Sequence, residues 1–146
     1  MSLESMAERV GAGKEEVAAA IAEMEADGII CGYSAIIDWD KVSDEKVNAL
    51  IEVKVVPQRG TGFDKIANRI AKFDEVDSVF LISGGYDFAV QIKGRSMREI
   101  SQFVFEKLSA LETVQSTSTH FVLKKYKDHG IIFGAPSSDV RETVIL

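Results

Sequence analysis

The sequence predicts an α+β chain: a helix-turn-helix segment, a short linker, and a domain of order βαββαβ. Three observations carry that expectation. Apolar residues recur at helical spacing until Gly28 breaks them. Later segments alternate with a period of two, as half-buried strands do. Amphipathic stretches then fall where a split βαβ unit places its helices.

The elements follow in order. Leu3, Met6, Ala7 and Val10 share one helical face behind Ser2, a suitable N-cap. Gly11-Ala12-Gly13 is a turn, and Val17, Ala20, Ile21 and Met24 resume the spacing up to Gly28. Ile29 to Ile37 is an extended apolar stretch, expected as a wing or a connecting strand. These features define a module over residues 1–38. A polar linker covers 39–48, with Trp39 as a packing anchor.

The second domain is expected over 49–127. Ala49 to Val56 alternates, with Ile51, Val53 and Val55 on one face, and Pro57 stops it. Phe63, Ile66, Ala67, Ile70 and Phe73 mark a helix. Val76–Ser83 and Tyr86–Lys93 are strands joined by Gly84-Gly85. Ser96 and Glu99 form a capping box before a helix carrying Ile100, Phe103, Val104, Leu108 and Leu111. Val114–Tyr126 is a last strand, and 128–146 reads as a loose tail. The order is the ferredoxin-like one, with two helices on one face of a four-stranded antiparallel sheet. The other face is expected to mix Glu52, Lys54, Gln91 and Lys93 with Leu50, Ala89, Phe121 and Leu123. That mixture suits contact with another subunit, so a homodimer is expected.

Composition narrows the class. Of 146 residues, 46% are apolar and 27% charged, the balance of a soluble globular protein. No apolar run approaches the roughly 18 residues of a membrane helix. The start has no signal-peptide pattern, and the lone Cys31 has no internal partner. A cytoplasmic protein without membrane association is expected. The net charge is −6, and residues 1–32 account for five of those negative charges. Such a balance opposes nucleic acid globally while leaving a local contact open.

Three segments can be read as a site or as plain structure. Gly84-Gly85-Tyr86-Asp87 suits a hairpin corner, with glycines supplying positive φ. It also suits a ligand loop, with exposed backbone and Asp87 facing an ammonium group. Arg59-Gly60-Thr61-Gly62 is a strand-to-helix loop or, with the first helical N–H groups, an anion site. Thr117 and Thr119 share one strand face, by β-propensity or for their hydroxyls. His120 and His129 lack the companions of a metal site, and no nucleophile-base pair is apparent. Neither catalytic residue, metal nor cofactor is expected. Arg9 and Lys14 are the candidates for phosphate contact near the turn, and Lys124, Lys125 and Lys127 form a small surface cluster.

Several segments together resemble the Lrp/AsnC family of feast/famine transcription regulators. Leu3 to Gly11 resembles the family's second helix and turn. Val17, Ile21, Glu25 and Gly28-Ile29-Ile30-Cys31-Gly32-Tyr33 resemble its third helix and the GxIxGY that follows. Ser83 to Phe88 looks like its sGxyDy turn, and Thr117-Ser118-Thr119 like the polar start of its last strand. The family's opening helix is not matched ahead of Leu3, so the helix-turn-helix in this sequence is expected to lack its usual packing partner.

The resemblance implies a regulator that is not an enzyme. It would bind double-stranded DNA through Arg9 and Lys14, and dimerise and assemble further, toward an octamer. An amino-acid effector would bind between subunits. The effector residues implied are Ser83, Gly84, Gly85, Tyr86, Asp87 and Phe88, to which the readings above add Arg59, Gly60, Thr117 and Thr119. One departure is electrostatic: Gly13 to Asp27 holds Glu15, Glu16, Glu23, Glu25 and Asp27 against Lys14 alone. That leaves open an effector-sensing adaptor that does not bind DNA. An enzyme on the same scaffold is a third reading, with His120 its sole candidate residue.

Overall fold

The computed structural model describes residues 1–42, 46–56, 59 and 62–134. The chain divides into two compact units, Met1–Ile36 and Ile37–Leu146.

The first unit is a helix pair. Helix α1 spans Leu3–Val10, with the Ser2 side chain accepting from the Ser5 N–H. Helix α2 spans Lys14–Ala26. Gly28 adopts φ 70° after it, and the Ile29 N–H closes back on the Met24 carbonyl. This left-handed stop is the one glycine permits most readily. Leu3, Met6, Val17, Ile21 and Met24 are only half-buried, and Ala7 alone of the unit is buried. The stretch Ile29–Ile37 is not a strand. Its β-branched residues favour extension, but a ladder requires a second strand to exchange hydrogen bonds with, and none lies beside it among the described residues. Tyr33 instead donates its hydroxyl to Glu25, at 2.6 Å.

The second unit opens with a single 3₁₀ turn, Trp39–Lys41, where a plain linker was expected. Strand β1 (Val47–Val55) starts earlier than predicted. Helix α3 (Gly62–Ala71), β2 (Val76–Leu81), β3 (Phe88–Gly94) and α4 (Met97–Phe103) follow. A wider π turn, Val104–Leu108, continues α4, and β4 spans Val114–Val122. The sheet order is β2-β3-β1-β4, and each neighbouring pair is antiparallel. At the start of α4 the capping box is modified. Ser96 accepts from the Glu99 N–H as predicted, but the Glu99 carboxylate returns to the N–H of Arg95.

One sheet face is core. Ile51 and Val53 from β1, Val90 and Ile92 from β3, Ile70 from α3 and Ile100 from α4 are essentially inaccessible. Each such side chain contributes about 1.5–3 kcal/mol by leaving water. Phe63 meets Phe88 edge-on, and Phe73 meets Phe103 likewise.

Register fixes the open face, because directly paired residues share a side of the sheet. His120 pairs with Leu50, Ser118 with Glu52 and Gln91 with Leu50. Phe121 pairs with Ala49 and packs against the core, so it does not belong to the open face as predicted. Leu123 lies beyond the end of β4. Phe80, Val122 and His120 take their places, all exposed.

The chain past β4 is not simply a tail. Two short strands, β5 (Lys127–Asp128) and β6 (Ile131–Ile132), pair across His129-Gly130. The predicted segment from residue 135 onward lies outside the described residues.

Candidate functional site

Three described segments meet at one end of the sheet: the end of β1, the β2–β3 corner and the start of β4. Backbone bonds tie them. The Val56 N–H donates to the Thr113 carbonyl at 2.8 Å, and the Asp87 N–H donates to the Val53 carbonyl at 3.0 Å. The Asp87 carbonyl accepts from the Ile82 N–H at 2.8 Å. The Asp87 carboxylate accepts from the Val55 N–H at 2.9 Å, where the β1–β4 register shifts. Asp87 is therefore a clasp between the corner and β1, and one of its carboxylate oxygens is already in use.

The corner Ser83–Asp87 is a series of bends, with Ser83, Gly84 and Gly85 exposed and Tyr86 and Asp87 half-buried. The expectation that its glycines supply positive φ does not hold, for neither is among the positive-φ residues. A Cβ at Gly85 would meet nothing within 4 Å, and one at Gly84 only Ile82, at 3.7 Å. Among the described residues, none takes a backbone hydrogen bond from the N–H groups of residues 83–86. The corner thus presents bare main chain outward.

The other predicted site residues divide. Arg59 is exposed between β1 and α3, and Gly60 lies outside the described residues. Thr117 pairs with Val53, near the clasp, whereas Thr119 pairs with Ile51, one step further up. Both lie on the helix-covered side of the edge strand, not on the open face, because their partners belong to the core. Phe88 is fully buried beneath the corner and edge-on to Phe63. It supports the corner from below and has no surface to offer a ligand. Sequence reasoning missed Ser109, whose hydroxyl lies 3.4 Å from that of Thr117. Ser109 caps the π turn, and no local pattern announces its contact.

Comparison with known proteins decides the family. A profile described as the Lrp/AsnC ligand binding domain matches residues 48–132. The HTH-type transcriptional regulator YugG of Bacillus subtilis is 49% identical, over 97% of this chain and 86% of its own length. The chain belongs to the Lrp/AsnC family of transcriptional regulators.

Solved structures agree in fold. Regulator NMB0573 of Neisseria meningitidis, determined as an L-Met complex, superposes with TM-score 0.68 at 25% identity, covering 93% of this chain and 85% of that one. A feast or famine regulatory protein from M. tuberculosis, complexed with L-methionine, gives TM-score 0.68 at 20% identity, covering 88% and 84%. The expected Lrp/AsnC membership and the α+β fold with an antiparallel sheet are thereby shown.

In this Lrp/AsnC chain the DNA candidates sit on the helix pair. Arg9, in the last turn of α1, is exposed. Lys14, opening α2, is engaged by Glu4 of α1, and that ion pair holds the Glu4 carboxyl below its ordinary pKa. Glu16, Glu23 and Asp27 of the α2 segment are exposed. No helix among the described residues is long and apolar enough to cross a membrane.

Proposed function

We propose that this chain is a one-component regulator that holds an amino-acid effector at the Gly84-Gly85 corner, between subunits, and contacts DNA through Arg9 and Lys14. One observation carries the effector site. Two consecutive glycines stand exposed where neither backbone geometry nor packing within the chain calls for them. Glycine is explained there if something outside the chain approaches the backbone closely. Free N–H groups of residues 83–86 and the exposed guanidinium of Arg59 suit a carboxylate, and the second oxygen of Asp87 suits an ammonium group. The L-Met complex of the Neisseria relative supports an amino acid as the ligand class.

The sheet's open face, with Leu50, Phe80 and Val122 among Glu52, Gln91 and Lys93, supports pairing with a second copy. Pairs of copies meeting at the glycine corner would build the larger assembly. An effector preferring one assembly then shifts DNA affinity, since coupling requires differential affinity for the two states.

Thermal-shift titration with the twenty amino acids tests the reading, because a ligand of the folded state raises its melting temperature. One or a few should raise it for the wild type and not for Gly85→Val. If none does so for the wild type, the effector site is refuted.

A second reading, an effector-sensing protein that does not bind DNA, is favoured by the exposed acids of α2 and the Glu4 contact of Lys14. Promoter DNA titrated at graded salt separates the two. Binding that weakens steeply with salt supports the regulator, and no binding at low salt supports the adaptor.

A further inference from the structure

We infer that helix α3 of the second unit lays a stripe of cations against the phosphate backbone of duplex DNA. The inference rests on the DNA-binding reading above and extends it to a surface outside the helix pair.

The sequence of α3 sets up the stripe. Ile66 and Ile70 are buried in the core, which turns the opposite side of the helix to solvent. Lys65, Arg69 and Lys72 follow one another at steps of four and three, so they fall on one side. Lys72 stands just past the end of α3, and its N–H still reaches the Arg69 carbonyl at 3.4 Å. All three are exposed, as is Asn68 beside them. None of the three forms an ion pair among the described residues. Lys93, Lys107 and Lys125, by contrast, are held by Asp77, Glu75 and Asp128.

The acids nearby stand at the two ends of the stripe. Asp64 sits in the first turn, where the positive end of the helix dipole suits it. Asp74 lies in the turn before β2.

What the stripe leaves out says what it meets. No large apolar side chain is exposed along α3. A protein partner's contact centres on aromatic and apolar anchors and is depleted in lysine. A nucleic-acid contact is polar and cationic. At about 1.5 Å per residue, Lys65 to Lys72 spans about 10 Å. Duplex DNA carries about six phosphate charges over that length. The helix pair offers only Arg9 and a Lys14 already engaged by Glu4, among many exposed acids. Phosphate contacts on α3 would make up that shortage.

Fluorescence anisotropy of a labelled random-sequence DNA duplex, titrated with the full chain at stepped salt, tests this. Three proteins are compared: the wild type, a triple variant carrying Lys65→Gln, Arg69→Gln and Lys72→Gln, and a double variant carrying Arg9→Gln and Lys14→Gln. The α3 positions are exposed, so the triple variant should keep the circular dichroism spectrum and melting temperature of the wild type. Wild-type affinity should fall steeply with salt, and each lost phosphate contact lowers the slope of log K against log salt by about 0.9. The triple variant should therefore lower that slope by about two to three and weaken binding at low salt at least about tenfold. An unchanged slope and Kd in the triple variant, beside a weakened double variant, would overturn the inference and leave the DNA reading standing. Loss confined to the triple variant would uphold the inference and remove Arg9 and Lys14 as the contacts. Sedimentation velocity runs alongside: a triple variant that loses affinity only because it falls into smaller assemblies makes α3 a protein contact and overturns the inference. A wild type that binds no duplex at low salt overturns both readings.

Discussion

The carboxylate of Asp87 accepts a hydrogen bond from the Val55 N–H at 2.9 Å, joining groups 32 residues apart in sequence. The bond satisfies a part-buried main-chain donor at the point where the ladder to β4 slips, and so replaces a rung of the sheet. Removing the carboxylate leaves that donor unpaired, at a cost of about 1–3 kcal/mol. Asp87→Ala should lose that much in urea denaturation. Asp87→Asn, which keeps an acceptor oxygen, should lose less while losing recognition of an ammonium group. Equal stability losses for the two variants would deny the clasp.

The glycine corner predicts the opposite balance. Gly84 and Gly85 have room for a Cβ and no left-handed φ. Each Gly→Ala change should leave stability within about 1 kcal/mol of wild type, with a gain where the unfolded chain loses entropy. Effector affinity, measured by calorimetry, should fall at least about tenfold for Gly85→Val as its side chain fills the approach.

Phe88 tests whether the corner's support can be told from its contacts. Phe88→Ala should cost about 3–5 kcal/mol, as large-to-small core changes do. Phe88→Leu should keep both fold and effector binding, because the ring touches Phe63 and not solvent. Selective loss of effector affinity in a stable Phe88→Leu protein would restore Phe88 as a contact.

Acid should weaken one tie of the helix layer. Lys107 bonds the Glu75 carboxylate and holds its pKa below the ordinary 4.5. A carboxyl whose folded pKa is depressed contributes stability above its unfolded value, and loses it as pH falls through the folded one. The pair is partly exposed, so about 0.2–1 kcal/mol is expected. Lys107→Met should lose that amount at neutral pH, and its deficit should narrow below about pH 4.5, in denaturation series at stepped pH.

The βαββαβ order was legible because Ile51, Val53 and Val55 alternate cleanly and Phe63, Ile66 and Ile70 keep helical spacing. Sites were less legible where a residue's face depends on pairing. Phe121 looks like any alternate apolar residue of β4, and only its register with Ala49 turns it toward the core. Ile29–Ile37 has strand composition, but the strand-forming bond is made by two segments and the sequence states only one. Gly84-Gly85 was legible as a special point, and of its two readings only the positive-φ one fails, since neither glycine is left-handed. The Asp87–Val55 and Ser109–Thr117 contacts depend on closure of the whole sheet and had no local signal.

Because the corner is held by main-chain groups of Val53, Val55 and Ile82, the side chains of Ser83 and Tyr86 bear none of that restraint. Exchanges at those two positions would then alter the corner's surface while its shape persists. If the proposed effector sits there, a change of ligand preference would need only a few such surface exchanges and no refolding.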